Sequence, residues 1–334
     1  MQSDIVIGLQ FGDEGKGKIV YHLIKTGGYD FCVRYNGGPN AGHTVYVDDK
    51  KVVTHQIPTG AIHRIPSLIG SSCMLDPRKL DAELKMCESI GITNIRDLVK
   101  VAYNCHVIQE SHIEQDKKTD TVGSTHCGMG PAYTDKYARV GQRVRDVYKD
   151  NVCGCEIVDP SDYLYSKKGA KILFEGAQGY LLDVNWGQYP YVTSTHCDVG
   201  FITSTGMNPR SIRDVYGVCK LYCTYVGKMQ FQPKDPVFDK IAELGQEFGS
   251  TTGRKRQCNW LNLDSLIRSI RVNGVNKLII NKCDILEKLG VFKLIHKGET
   301  KEFGSLDDMK VYITMVINED TALEIVFSST PLGM

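Results

Sequence analysis

Neither sign of charge dominates the sequence: 40 Lys and Arg stand against 39 Asp and Glu over 334 residues, a formal net charge of +1. No long-range field draws such a chain to nucleic acid or to an anionic membrane, and neither is expected as a partner. No apolar run approaches the roughly 18–20 residues of a membrane span. Asp4 stands in MQSDIVIGLQ where a signal peptide would be basic, so a cytoplasmic location is the expectation. The 12 Cys include no CxxC pair. Their one close doublet, Cys153 and Cys155, lacks zinc-ligand spacing, and the thiols read as small buried hydrophobes of a reducing compartment. Internal repeats, low-complexity tracts and a Pro-rich hinge are also missing, which leaves no seam at which to divide residues 1–334 into separate domains.

What is present is a globular composition, 42% hydrophobic and 24% charged with 33 Gly, able to bury a sizeable core. DIVIGLQ, from Asp4 to Gln10, is apolar and β-branched, and a Gly-rich turn separates it from the helical pattern IVYHLIKTGG. A second strand at 31–35 leads into the loop NGGPNAGHT, after which TVYVDDKKVVTHQI alternates like a hairpin about Asp48 and Asp49. Residues 77–91 carry a helix's start and stop signals, and LVKVAY reads as the next strand. The polar stretch 110–135 reads as an active-site loop. KILFEG (171–176), VCKLYCTYVG (218–227) and KLIINKCD (277–284) run from apolar into Gly or polar residues, as buried parallel strands do when their C-terminal ends carry a site. Helices are expected at about 238–247 and 260–273. The fold expected is α/β: a mainly parallel central sheet flanked by helices, a P-loop-like nucleotide-binding fold with β-hairpin excursions.

Four constellations carry chemistry. Gly12-Asp13-Glu14-Gly15-Lys16-Gly17-Lys18 matches G-x-x-x-x-G-K between a strand and a helix, where backbone N–H groups can cradle phosphate. The Mg²⁺-holding Ser/Thr of an ordinary nucleoside-triphosphatase loop is Ile19 here, and Asp13 could supply the oxygen instead, as metal ligand, general base or both. Asn36 to Thr44 form a small-residue loop with one group, His43, that exchanges a proton near neutrality. Asn281-Lys282-Cys283-Asp284 fits N-K-x-D, whose carboxylate accepts from guanine N1–H and N2–H₂. In Gly249 to Arg256, hydroxyls precede alternating cations; a charge run is by default a solvated face, yet Arg forks suit a dicarboxylate or a phosphate. Gly123-Ser124-Thr125, Glu175 to Gly179 and Tyr189 to Ser194 add neutral amide and hydroxyl groups. Asp120 to Gly123 also fits D-x-x-G, which beside N-K-x-D leaves a GTP-binding switch without ligase activity as a second reading.

In this order QFGDEGKGK, RYNGGPNAGHT, GPAYTDKYAR, FEGAQG, YPYVTS, EFGSTTGRKR and NKCD resemble the adenylosuccinate synthetase family, in its short archaeal and phage-type form. The resemblance implies a GTP-dependent ligase that joins L-aspartate to IMP through 6-phosphoryl-IMP, a homodimer using Mg²⁺. It implies Asp13 and His43 as the catalytic pair, and Mg²⁺ on Asp13 and the carbonyl of Gly42. GTP contacts carried over by it are Gly12, Glu14, Gly15, Lys16, Gly17, Gly42 and Thr44, with Lys282 and Asp284 at guanine. IMP contacts are Asp13, Asn40, Thr125, Arg139, Gln178 and Thr193, with Arg139 reaching across the dimer interface. Thr251, Thr252, Arg254 and Arg256 match the aspartate loop. Two departures stand out. Thr125-His126-Cys127-Gly128 replaces the family's Thr-Gly-(Arg/Lys)-Gly, and Ser329-Thr330-Pro331 replaces its terminal Ser-Thr-Gly-Pro. Phage relatives that use dGMP carry Ser where this chain has Asp13, so Asp13 favours IMP over that alternative.

Overall fold

A computed structural model describes residues 1–47, 50–249, 253–319 and 321–329. Its frame is a ten-stranded sheet in the order Glu324–Phe327, Lys277–Asn281, Ile212–Lys220, Gln2–Gly8, Lys171–Glu175, Phe31–Arg34, Ser67–Ile69, Val99–Ala102, Cys155–Val158, Asn151–Val152. Every pairing is parallel except the last, an antiparallel edge. The first strand is buried on both faces after Gln2, which is why it reads as a continuous β-branched run and not as an alternation. Ile5 and Ile7 join the larger core on one face. Val6 points the other way, against Ile19, Val20 and Leu23 of the helix Lys16–Gly27, and each such side chain contributes about 1.5–3 kcal/mol by burial.

The expected mainly parallel α/β sheet is thus present, and three local expectations need correction. VCKLYCTYVG is not one strand: Ile212–Lys220 lies in the large sheet, and Tyr222–Tyr225 pairs antiparallel with Gln257–Asn262 in a second, four-stranded sheet. Buried Gln10 holds the corner, donating to the carbonyls of Lys220 (3.1 Å) and Tyr222 (3.3 Å) and accepting from Lys220 N–H (2.9 Å). The helix expected from 260 begins at Leu263, because Trp260 and Leu261 belong to that second sheet and the Asn262 side chain caps the helix by accepting from Ser265 N–H. Most of 110–135 is helical, Glu110–Lys118 and Met129–Ala138, with a loop only between. The first of these is so polar because just His112, Ile113 and Asp116 are buried. His43–Val47 and Lys50–Thr54 form the expected hairpin, with Asp48 and Asp49 outside the described residues.

Five neighbouring strands of the large sheet end on Asn281, Lys220, Gly8, Glu175 and Arg34. All the polar members of this row are buried, and the carboxyl edge of a parallel sheet is where such folds place their ligands.

Candidate active site

A cavity of about 550 Å³ opens at that edge, bounded by the phosphate-type loop, residues 40–44, the 119–125 loop, residues 191–194, and Gly249, Arg254 and Arg256. Gly12, Asp13, Gly15, Lys16, Gly17, Asn40, Gly42, His43, Thr44, Thr125, Gln178, Thr193, Arg254 and Arg256 all line it. Segments far apart in sequence therefore meet where the sequence motifs place their chemistry.

The phosphate-type loop owes its shape to glycine. Gly15 (φ 94°) is the N-cap of helix Lys16–Gly27, and a Cβ there would stand 2.9 Å from Asn281 Nδ2. At Gly17 a Cβ would come within 3.2 Å of the Thr44 carbonyl. No side chain caps the first turn of this helix, so its N–H groups and positive dipole end suit an anion. Asp13 has a left-handed backbone, φ 58°, a costly conformation for a residue with a side chain.

Glu14 is placed differently from the expectation of a GTP contact. Its carboxylate is buried beneath the loop, accepting from Gly12 N–H (2.8 Å) and Gln10 N–H (3.2 Å). It is the loop's internal anchor; a carboxylate turned outward would repel phosphate. Lys16 Nζ donates to Glu14 at 2.7 Å and also to the Gln178 carbonyl.

Asp13 faces Arg256. Arg256 brings Nε (2.9 Å) and Nη2 (2.7 Å) to Asp13 Oδ2, and its Nη1 donates to Glu247. Arg254 Nη2 donates to the Gly123 carbonyl at 3.0 Å, closing the cavity against the 119–125 loop. Thr251 and Thr252 lie outside the described residues, as do Thr330 and Pro331.

His43 sits opposite. Its Nδ1 contacts Glu175 Oε1, with Arg34 Nη2 3.4 Å from the same oxygen. Burial and the nearby Arg34 charge press the imidazole down to about 4 despite the carboxylate. Burial opposes the charge on Glu175, yet Arg34, His43 and Thr59 hold its carboxyl far below the usual range. In sequence FEGAQG offers its neutral amides, and the Glu175 carboxylate does not stand out from them. A lone Glu ending an apolar strand was the available signal.

Three further residues fall outside the cavity lining. Arg139 ends helix Met129–Ala138 on the exposed surface, at φ 65°. Lys282 donates to the Gly245 carbonyl (2.8 Å), and Asp284 pairs with Lys288 one helical turn on (2.8 Å). Asn281 is the member of N-K-x-D that touches the phosphate-type loop, donating to the Glu14 carbonyl at 2.8 Å. Asp120 is already used. Its Oδ1 accepts from the N–H groups of Val122, Gly123 and Ser124, and Lys228 lies 3.2 Å from Oδ2. D-x-x-G here is a turn organiser. In the altered segment after Thr125, His126 Nε2 lies 3.4 Å from Asp120 Oδ2 and Lys79 Nζ donates to Cys127 Sγ at 3.0 Å.

Among the described residues, Asp183, His196 and Asp198 form the one trio close enough to share a metal ion. Asp183 there is buried and accepts the N–H groups of Asn185, Trp186 and Cys197. All 12 cysteines are free thiols, and Cys153 alone is not fully buried. No helix among the described residues is long and apolar enough to cross a membrane.

The family model for adenylosuccinate synthetase matches residues 5–160 and 154–302. The chain belongs to the adenylosuccinate synthetase family. It is 39% identical to the adenylosuccinate synthetase of Thermodesulfovibrio yellowstonii, over 88% of this chain and 80% of that one. The Parabacteroides distasonis enzyme is 36% identical, over 91% and 84%. The fully ligated adenylosuccinate synthetase from Plasmodium falciparum superposes with a TM-score of 0.84 at 26% identity, covering 98% of this chain and 97% of that chain. A cyanophage S-2L succinoaminodeoxyadenylate synthetase bound to dGMP and dATP shares the fold, with a TM-score of 0.77 at 22% identity and coverage of 99% and 93%. Membership places the chain among the GTP-hydrolysing ligases that form C–N bonds in purine biosynthesis, and the switch reading falls with it.

Proposed function

We propose that the protein joins L-aspartate to IMP at the expense of GTP, giving adenylosuccinate, GDP and phosphate. The observation that carries this is the meeting of Asp13, His43 and Arg256 around one cavity, at the mouth of an uncapped helix N-terminus. Asp13 takes the N1 proton of IMP as O6 attacks the γ-phosphorus of GTP, and the bond to the β-phosphate oxygen breaks. The aspartate amino group then attacks C6, and phosphate leaves. Both steps depend on positioning and charge complementarity more than on covalent help from the protein.

Glu175 occupies Nδ1, so Nε2 is the nitrogen of His43 that meets the leaving phosphate, and it donates there as the imidazolium that Glu175 and the phosphate charge together favour. Gly12, Gly15, Lys16, Gly17 and Thr44 take the phosphates, and Asn40, Thr125, Gln178 and Thr193 take IMP. The Gln178 amide supports that assignment: Nε2 reaches Asn40 at 3.1 Å, while buried Oε1 has no hydrogen-bond partner among the described residues and suits a ligand donor. Arg254 and Arg256, with Thr251 and Thr252, receive the aspartate carboxylates. Lys282 and Asp284 receive guanine beside Lys18, whose charge feels both.

Mg²⁺ fits the oxygens on offer, one carboxylate and one carbonyl, because that ion takes few protein ligands and completes its shell with phosphate and water. Asp13 and Gly42 would hold it, and when bound it supplies neutralisation of phosphate charge. Arg139, exposed between Tyr137 (62% exposed) and Val140 (69%), supports a homodimer in which it serves the partner's nucleotide. The assignment is of a cytoplasmic enzyme. The test is phosphate release from GTP, which is expected only when a purine nucleotide and aspartate are both present; release with either one omitted would overturn the reading.

A further inference from the structure

The 249–256 loop is fastened at its base by a residue that faces away from the cavity. Glu247 follows helix Val237–Leu244, and its N–H closes on the Ala242 carbonyl at 2.9 Å. Its carbonyl accepts Arg256 N–H at 3.0 Å, and Phe248 bridges Lys255, so the two ends of the loop are pinned together. The Glu247 carboxylate has no solvent exposure. It receives the Tyr222 hydroxyl at 2.5 Å, Lys220 Nζ at 3.2 Å and Arg256 Nη1. Lys220 is itself held by the Thr224 hydroxyl at 2.5 Å. Burial works against the charge of Glu247, but Lys220, Arg256 and Tyr222 outweigh it and keep the carboxyl down at about 2.

Arg256 therefore has one end fixed in a rigid buried cluster and the other on Asp13. A guanidinium is planar, so fixing Nη1 on Glu247 also sets the plane in which Nε and Nη2 meet Asp13. We propose that Glu247 is a positioning residue of the ligase reaction, orienting Asp13 through Arg256 and coupling the amino-acid loop to the phosphate-type loop. This rests on the ligase reading for its kinetic consequence, though the orientation of Arg256 can be measured without turnover. Glu247 meets neither nucleotide nor amino acid and acts only through Arg256.

The variant Glu247→Gln keeps the shape and removes the charge. Its kcat should fall about tenfold or more, with KM for GTP and IMP within about threefold of wild type, the pattern of a lost transition-state interaction. Combined with Arg256→Lys, the double variant should be no slower than Arg256→Lys alone, because residues acting in one chain are not additive. Independently of turnover, phenylglyoxal labelling of Arg256, followed on the peptide by mass spectrometry, should be about tenfold faster in Glu247→Gln, since one end of the guanidinium loses its charged partner. Losses that multiply in the double variant, a wild-type kcat, or unchanged labelling would each overturn the proposal. Should Glu247→Gln fail to fold, Tyr222→Phe removes one hydroxyl from the same carboxylate and should lower kcat about two- to fivefold; an unchanged kcat there overturns it too. A wild-type enzyme inactive with IMP, GTP and aspartate, but with the labelling difference intact, would sink the ligase reading and leave only the orientation of Arg256 by Glu247 standing.

Discussion

His43 rests its Nδ1 on Glu175, a carboxylate without solvent exposure that also accepts the Thr59 N–H at 2.8 Å and the Thr59 hydroxyl at 2.5 Å. An ionised carboxylate can only accept, so the ring proton belongs on Nδ1, and Nε2 is the nitrogen left for a ligand. Glu175→Gln should therefore lower kcat about 10- to 100-fold, the usual cost of losing an orienting partner. It should also cost about 3–5 kcal/mol of stability by stranding the buried Arg34 charge. Denaturant unfolding and kinetics on the folded variant check the two parts; a folded variant with wild-type kcat would remove Glu175 from the mechanism.

Stability should fall on acidification. The imidazoles of His43, His63 and His106 are each pushed by burial from 6.5 to about 4. Between those values the unfolded chain binds protons that the folded one refuses, so stability is full above 6.5 and declines toward 4. Glu175, depressed in the fold, adds its loss as pH drops below its ordinary 4.5. Thermal melts should show Tm decreasing steadily from pH 7 to pH 4.5, and a flat profile would contradict the burial argument.

Asp13→Asn should abolish turnover, by about 10² to 10⁴ for loss of a general base, while equilibrium binding of IMP survives. The change removes a base and a metal-ligand charge with little change of volume. Isothermal titration together with turnover assays separates the two effects. Substantial turnover would remove Asp13 from the chemistry.

Arg254→Lys keeps the charge but loses the fork. The apparent affinity for aspartate should weaken about tenfold, and that for GTP by much less. Equal losses for both would mean that the loop is not an aspartate site.

Much of this was legible because strand-end motifs advertise themselves. DIVIGLQ, FCVRY, KILFEG and KLIIN end as strands at one sheet edge, so the motifs that follow them had to meet. What sequence hid was the direction of side chains. Glu14 and Glu175 sit in motifs whose neighbours face ligand, yet their carboxylates serve the scaffold, Glu14 tying Gly12 and Lys16, Glu175 fixing His43. Glu247 precedes the Arg loop, and nothing in its neighbours announces that Lys220 and Tyr222, from strands of two different sheets, neutralise and clamp it. The split at Leu221 is equally non-local, since it depends on Gln10, over two hundred residues earlier in the chain. Glu110–Lys118 misled as a loop because a helix with a single narrow buried face has the composition of one.

The most direct test is a product assay by mass spectrometry, with IMP, dIMP, GMP and dGMP offered side by side in the presence of GTP, Mg²⁺ and aspartate. The account predicts the aspartate adduct of IMP as the dominant product, formed with equal amounts of GDP and phosphate. An adduct formed from dGMP in preference to IMP, or GTP consumed with no adduct at all, would contradict it.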